Sequence, residues 1–393
     1  MLFTRRVFTK LKEEIDTREI TVITGMRRVG KTTALRYLYD LVESKNKVLL
    51  DLENPINRKV FEEENYDSVW NNLRQLGLTD SQKAYIFLDE AQNLPELSRV
   101  AKYLYDHFDI KFVLTGSSSY YLRNLFPESL AGRKIVFEMF PLSFAEFLEF
   151  KNAKRLEAVA LKEKAARKNK ISYTSLEPLY REYVEFGGFP SVVLEPNPER
   201  KRILLSEIFT SYFEKDAKSL SDFKDMSKLR DLILLLVPRM AARIEIQKLA
   251  SDLSISRETV YNYLSFLEHT YFISLLPRFS PSIDRQAAGS RKLFFCDLGL
   301  ASALGKVSEG QIFEQSVFQN LRGLHDIAYF NKGGTSEIDF ILDGAVAIEV
   351  KLSYSQRDNR LLKQRSKALE VSESYIVASR YTDEPDAILA VDL

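Results

Sequence analysis

The 393-residue sequence has one cysteine and three histidines. A single thiol, Cys296, excludes an internal disulfide framework and fits a reducing compartment. His107, His269 and His325 lie far apart, so they suggest no zinc site. The longest apolar runs, such as LILLLV at 232–237, are far short of the roughly 20 residues that a membrane-spanning helix needs. The opening MLFTRRVFTK has no apolar stretch of the kind that targets secretion. No repeat or low-complexity tract occurs. Neither sign of charge dominates, with 56 basic residues against 55 acidic ones, so net charge points to no class of partner. Together these absences lead to the expectation of a soluble, cytoplasmic protein with no membrane contact. What is present, 45% hydrophobic and 28% charged residues, suffices for two or three domains, each with its own core.

From residue 20 to 140 the chain alternates β-rich runs (EITVIT, KVLLDL, AYIFLDE, IKFVLTG, KIVFEMF) with amphipathic stretches, a pattern that predicts a parallel sheet with helices on both faces. Between the first strand and its helix stands GMRRVGKTT. Here Gly25 and Gly30 let backbone N–H groups close around phosphates, and the helix N-terminus favours their negative charge. Lys31 reaches the β- and γ-phosphates, and the Thr32 hydroxyl is placed to ligate Mg²⁺. Gly25, Arg28, Gly30, Lys31, Thr32 and Thr33 are therefore the expected ATP-binding residues. AYIFLDE agrees: an apolar strand ending in two carboxylates is costly unless a cation or a reaction requires them. Asp89 is expected in the Mg²⁺ shell and Glu90 is expected to orient and polarise the attacking water.

These residues resemble the P-loop ATPases that carry a catalytic glutamate, and two further features resemble the AAA+ group. FVLTGSSS is a strand ending in small polar residues, where that group keeps a sensor of the γ-phosphate; Ser117 takes that role by resemblance. Arg133, in LAGRKIVFEMF just before the fifth strand, takes the place of an arginine finger that reaches a neighbouring subunit's ATP. The resemblance thus implies a homo-oligomer with ATP sites shared between subunits. The other reading of Arg133 is an exposed arginine at a strand entry.

The middle is less specific. Residues 151–170 carry eight basic and two acidic side chains, which suits either a phosphate-contacting arm or a solvated helix face. GGFP at 187–190 marks a break. Residues 244–276 place apolar positions on two helices joined at Ser254 to Ser256, the second capped by Ser256 in a Ser-x-x-Thr start. This is similar to a winged helix, with FISLLPRF and RKLFFCD as wing strands. In a DNA-binding version Arg257, Glu258, Tyr261 and Asn262 face base edges; the same fold also serves as a protein-binding module.

Beyond residue 310 the order is helix, three strands, helix, two strands. In VAIEVKL, period two sets Val346, Ile348, Val350 and Leu352 on one face and Ala347, Glu349 and Lys351 on the other. The hairpin leaves two registers open. A two-residue Asp343-Gly344 loop sets Asp339 opposite Ile348, off the charged face. A three-residue loop, Leu342 to Gly344 with Gly344 left-handed, sets Glu337 opposite Glu349 and Asp339 opposite Ala347. The segment resembles the PD-(D/E)xK nuclease fold. By that resemblance Asp339 and Glu349 would ligate Mg²⁺ or Mn²⁺, Lys351 would position or activate the attacking water, and Glu314 would support the metal shell. The plainer reading is an ion pair on a half-exposed sheet.

As a whole the chain is identified as a member of a prokaryotic family of AAA-type ATPases with a C-terminal nuclease-like domain. The matching stretches include ITGMRRVGKTT, IFLDEAQ, GGFP, KLFFCDLGLASAL, IFEQSVF and EIDFI…AIEVK. The expected class is α/β. A P-loop AAA+ core occupies 1–150, a helical lid and connector 151–240, a winged helix 241–300, and an α/β restriction-endonuclease-like domain 301–393. The implied function is a Mg²⁺-dependent ATPase driving a DNA-directed nuclease-like module, with branched DNA as a partner. Two alternatives stand beside it: a STAND-like signalling or scaffold ATPase whose C-terminal modules bind protein, and a DNA-remodelling ATPase without cleavage.

Overall fold

The β-rich runs of the front third form β1 (Ile20–Thr24), β2 (Lys47–Asp51), β3 (Ala84–Asp89), β4 (Ile110–Gly116) and β5 (Lys134–Glu138) of a computed structural model. The structure describes residues 3–116, 132–153, 159–217, 223, 225–280, 289–333 and 336–393; Ser117, expected as the γ-phosphate sensor, lies outside them. The strands lie in the order β2-β3-β4-β1-β5, and every neighbouring pair is parallel. Parallel neighbours need crossovers, and helices supply those from β1 to β4: α1 (Arg6–Glu13) precedes β1, then come α2 (Lys31–Leu41), α3 (Tyr66–Gln75) and α4 (Leu97–His107). Alternation along β3 covers both faces. Ile86 and Leu88 join a core with Trp70, Leu73, Leu97 and Leu104, while Phe87 meets Tyr39 of α2 edge to face. This is the sheet with two helical layers that the alternating pattern predicts.

By contact density the chain forms two compact units. One comprises Met1–Phe140 with His269–Tyr271, and the other Pro141–Glu268 with Phe272–Leu393. The second unit opens with α5 (Phe144–Phe150), α6 (Lys170–Phe186), α7 (Pro198–Ser211) and α8 (Met226–Leu236). Two lysines of the basic segment before α6 are engaged within this unit: Lys151 pairs with Glu182 at 2.6 Å, and Lys168 donates to the carbonyls of Ala165 and Ala387. Next come α9 (Ile246–Leu253) and α10 (Arg257–His269), then the antiparallel pair β6 (Ile273–Leu276) and β7 (Lys292–Phe295). Ser254 ends α9 in the left-handed region at φ 54°, and Ser256 Oγ accepts the N–H of Thr259 at 3.0 Å, capping α10.

The motifs GGFP and CDLGL meet Gln319, the residue after IFEQSVF, in one buried polar knot. The Asp297 carboxylate, fully buried, accepts from Gly188 N at 2.7 Å, Leu300 N at 3.0 Å and Gln319 Nε2 at 3.1 Å. A Cβ on Gly188 would stand 2.2 Å from the Leu142 carbonyl oxygen. These residues link α11 (Leu298–Leu304) and α12 (Glu309–Leu321) to the end of α6; their role is packing.

After α12 follow β8 (Ile327–Lys332), β9 (Ser336–Leu342), β10 (Val346–Lys351), α13 (Gln356–Ala368), β11 (Glu373–Ala378) and β12 (Ala387–Leu389). The sheet runs β12-β11-β10-β9-β8, parallel from β10 to β12 and antiparallel from β8 to β10. The hairpin register differs from both expected ones. Val346 pairs with Leu342, Ala347 with Ile341 and Ile348 with Phe340, so the loop is Asp343 to Ala345. The ladder carries Asp339 to a place across from Glu349. The cause lies outside the hairpin: the Asp343 side chain accepts from Asp326 N at 2.8 Å and meets His325 at 2.6 Å. Asp343 is thereby tied to the start of β8 and enters the loop at φ 51°, ahead of Gly344 at φ 68°. Among the described residues no helix is long and apolar enough to cross a membrane.

Candidate nucleotide site and a closed carboxylate cluster

The loop between β1 and α2 is shaped by its glycines. Gly25 sits at φ 148°, and a Cβ there would fall 2.1 Å from the Met139 carbonyl oxygen; Gly30 caps α2 at φ 101°. Arg28 is also left-handed, at φ 66°. Arg5, which sequence reading passed over, buttresses the loop by donating to the Val29 carbonyl at 2.9 Å and the Phe140 carbonyl at 2.8 Å. Lys31 is buried, and its Nζ donates to the carbonyls of Gly25 at 2.9 Å and Met26 at 3.0 Å. The ammonium is thus folded across the loop interior, where phosphate oxygens could replace the carbonyls. Thr32 and Thr33 follow in the first turn of α2.

Because β4 lies between β1 and β3, its C-terminal end stands between the phosphate loop and the acidic pair. The residue there is Thr115, fully buried. Its hydroxyl donates to Asp89 Oδ1 and accepts the N–H of Glu90 at 3.1 Å. Glu90 leaves the strand in the left-handed region at φ 53°, and Gln92 Nε2 donates to its carboxylate. Sequence reading missed Thr115, although its signal was there: a hydroxyl directly after the apolar run Phe112 to Leu114. The hard oxygens of Thr32 and Asp89 suit Mg²⁺, and the open cradle at Gly25 and Gly30 suits phosphates.

Arg133 precedes β5 at the end of the sheet away from the phosphate loop, since Ile20 at the start of β1 pairs with Lys134. It forms an ion pair with Asp106 at 3.3 Å and stacks over Tyr105, with its side chain 34% exposed. No contact with its own loop is within its reach.

In the second unit, Arg257, Glu258, Tyr261 and Asn262 are all exposed on α10, Tyr261 at 59%. Two of the three carboxylates expected at the C-terminal metal site, Glu314 and Asp339, are gathered instead around a lysine, and Glu337 joins them. Lys292, the first residue of β7, is buried with its Nζ 2.6 Å from Glu314, 3.0 Å from Glu337 and 3.4 Å from Asp339. Burial would lower its pKa, but Asp339, Glu314 and Glu337 overcome this and raise it. Glu349, also buried, pairs with Lys351 at 2.8 Å and lies 3.9 Å from Arg365 of α13. The charged face of β10 is therefore partly covered by α13, whose Leu362 packs with Ala347, while the Lys351 side chain stays 36% exposed. Burial, then the Asp339 charge, pushes Glu349 up to about 7; the same two causes push Glu314 up to about 8 against the pull of Lys292. Among the described residues no group of three or more His, Cys, Asp or Glu side chains could hold a metal ion. These residues do not fit Mg²⁺ or Mn²⁺ as they stand. Nothing in the sequence around KLFFCD marks Lys292 as the partner of three distant carboxylates.

Residues 17–148 match the family model of an AAA domain, and residues 177–311 match that of a domain of unknown function (DUF8612). The span that matches the AAA domain contains the phosphate loop and the acidic end of β3. It is similar to an uncharacterized protein of Methanocaldococcus jannaschii, 28% identical over 95% of this chain and 85% of that one. It is also similar to an uncharacterized protein of Haemophilus influenzae, 27% identical over 92% of this chain and 90% of that one. Among solved structures it overlays AMPPCP-bound DnaA from Aquifex aeolicus with a TM-score of 0.27 and 14% identity, over 68% of this chain and 89% of that chain. A STAND protein with a tetratricopeptide repeat sensor from Pyrococcus horikoshii overlays with a TM-score of 0.30 and 13% identity, over 82% and 45%. Overlays at this level carry no functional argument.

Proposed function

We propose that this protein is a Mg²⁺-dependent ATP hydrolase that works as a homo-oligomer and couples its nucleotide state to DNA engagement by the second unit. The observation that carries the reading is the convergence of Lys31, Thr115, Asp89 and Glu90 at the ends of three adjacent parallel strands. When bound, Mg²⁺ would neutralise charge on the phosphates, held by Thr32 and Asp89. Lys31 turns from the Gly25 and Met26 carbonyls to the phosphate oxygens. Glu90, aimed by Thr115 through its backbone and by Gln92 through its carboxylate, orients the attacking water. Arg133, out of reach of its own loop, serves a neighbouring subunit's ATP after leaving Asp106.

Binding of a fluorescent ATP analogue and release of phosphate test this directly. Lys31→Ala loses binding and hydrolysis, whereas Glu90→Gln keeps binding and stops turnover. Hydrolysis by Glu90→Gln near the original rate would overturn the assignment.

For the second unit the favoured reading is a winged helix that binds DNA without cutting it. Its support is the exposed α10 face on one side and, on the other, a carboxylate cluster already held by Lys292. Gel shifts on forked, four-way and linear DNA should weaken steeply with salt and weaken further in Arg257→Ala and Tyr261→Ala. Absence of a retarded complex on all of these DNAs favours the protein-binding, STAND-like alternative, for which Glu258 beside a single arginine is the specific observation. Metal-dependent cutting of any of these DNAs, lost in Lys351→Ala, would instead establish the nuclease.

A further inference from the structure

Strand β7 is four residues long and wholly buried, yet its first residue is a lysine. An isolated ammonium in such a place is prohibitively costly, so its charge must be met nearby. The three carboxylates that meet it come from two separate elements: Glu314 from α12, Glu337 and Asp339 from β9. The fourth carboxylate, Glu349, has its own cations in Lys351 and Arg365. Four acids are thus balanced against three protein cations. A divalent ion held by Asp339 and Glu349, with Glu314 supporting its shell, would need an Asp339 oxygen at about 2.1 Å, bringing two positive charges to within roughly 4 Å of the ammonium.

We infer that Lys292 is the resident cation of this cluster: its ammonium takes the place at Asp339 and Glu314 that a divalent ion would need, and makes the carboxylates a tie joining β7, α12 and β9. The tie holds β7 against α12 and the C-terminal sheet without any metal. This goes beyond the ATPase reading, and its test contains no nucleotide, so the two can fail separately.

The test is a Mn²⁺ titration of the nucleotide-free full chain, followed by the electron paramagnetic resonance of the free ion. The isotherms of the original protein and of Asp339→Asn should superimpose, and EDTA should leave the thermal midpoint of the original protein unchanged. Lys292→Met, which strands three acids, should unfold roughly 10 °C lower. It should also gain one Mn²⁺ site, roughly tenfold or more tighter than any the original chain has outside the phosphate loop, and Lys292→Met with Asp339→Asn should lose that site again. A Mn²⁺ site in the original protein that Asp339→Asn removes overturns the inference, as does a folded Lys292→Met that gains none. If Lys292→Met does not fold, the original protein and Asp339→Asn alone decide: coincident isotherms support the resident lysine, and a lost site refutes it.

Discussion

The hydroxyl of Thr115 on β4 donates a hydrogen bond to the carboxylate of Asp89 on β3. The same oxygen accepts the backbone N–H of Glu90, so one side chain fixes both consecutive acids. Thr115→Val keeps the shape and removes both bonds. A lost hydrogen bond to a charged group is worth about 1.5–3 kcal/mol, which places the expected fall in ATP turnover at about 10- to 100-fold. Binding of a fluorescent ATP analogue should stay within about threefold of the original, because the phosphate cradle is untouched.

Gly25 answers for the loop itself. At φ 148° with the Met139 carbonyl 2.1 Å from where a Cβ would lie, Gly25→Ala cannot be accommodated without moving backbone. The expected loss exceeds about 2 kcal/mol of stability, read from the urea midpoint, together with loss of ATP binding. Gly77→Ala is a useful contrast: its φ of 99° brings strain, but nothing lies within 4 Å of the added atom, so ATP binding should survive.

Arg133 separates action within a subunit from action between subunits. Arg133→Ala should bind ATP normally and hydrolyse it about 10³-fold more slowly. Mixing it with Glu90→Gln, which has an intact arginine but cannot turn over, should restore part of the activity. No recovery at any mixing ratio would leave Arg133 as the partner of Asp106 and nothing more.

Lys111 gives a pH dependence of stability. Its side chain is fully buried on β4, donating to Thr17 Oγ1 at 3.0 Å and to the Glu19 carbonyl. Burial, aided by the nearby Lys83 charge, lowers its pKa from an ordinary 10.5 to about 8. Between those values the unfolded chain keeps a proton that the folded one has released, so this group's contribution to stability rises with pH across that window and is smallest below it. Relative to Lys111→Met, the original protein should therefore gain urea resistance from pH 8 to 10. A difference that stays flat, or falls, would contradict the buried-lysine account.

Much of the front unit was legible because its signals are local. Apolar runs at strand length, separated by helical stretches, specify a parallel sheet, and glycine, lysine and threonine at fixed spacing specify a phosphate loop whatever surrounds them. Parity along VAIEVKL likewise placed Glu349 and Lys351 together on one face, as they are found. The strand order could not be read this way, and with it went Thr115: nothing local says that β4 comes between β1 and β3 and brings that hydroxyl to Asp89.

The C-terminal hairpin shows the same limit at closer range. Sequence narrowed the turn to the vicinity of Asp343 and Gly344, but the register was decided by Asp326 and His325, which anchor Asp343 from just ahead of β8. Lys292 is the extreme case. Its three partners lie 22 to 47 positions away in sequence, and electrostatic balance in a buried site depends on distance in space. The sequence by itself determined which elements form and which chemical groups they carry. Only the tertiary structure decided which charges face one another, because burial makes that choice and burial is a property of the packed chain.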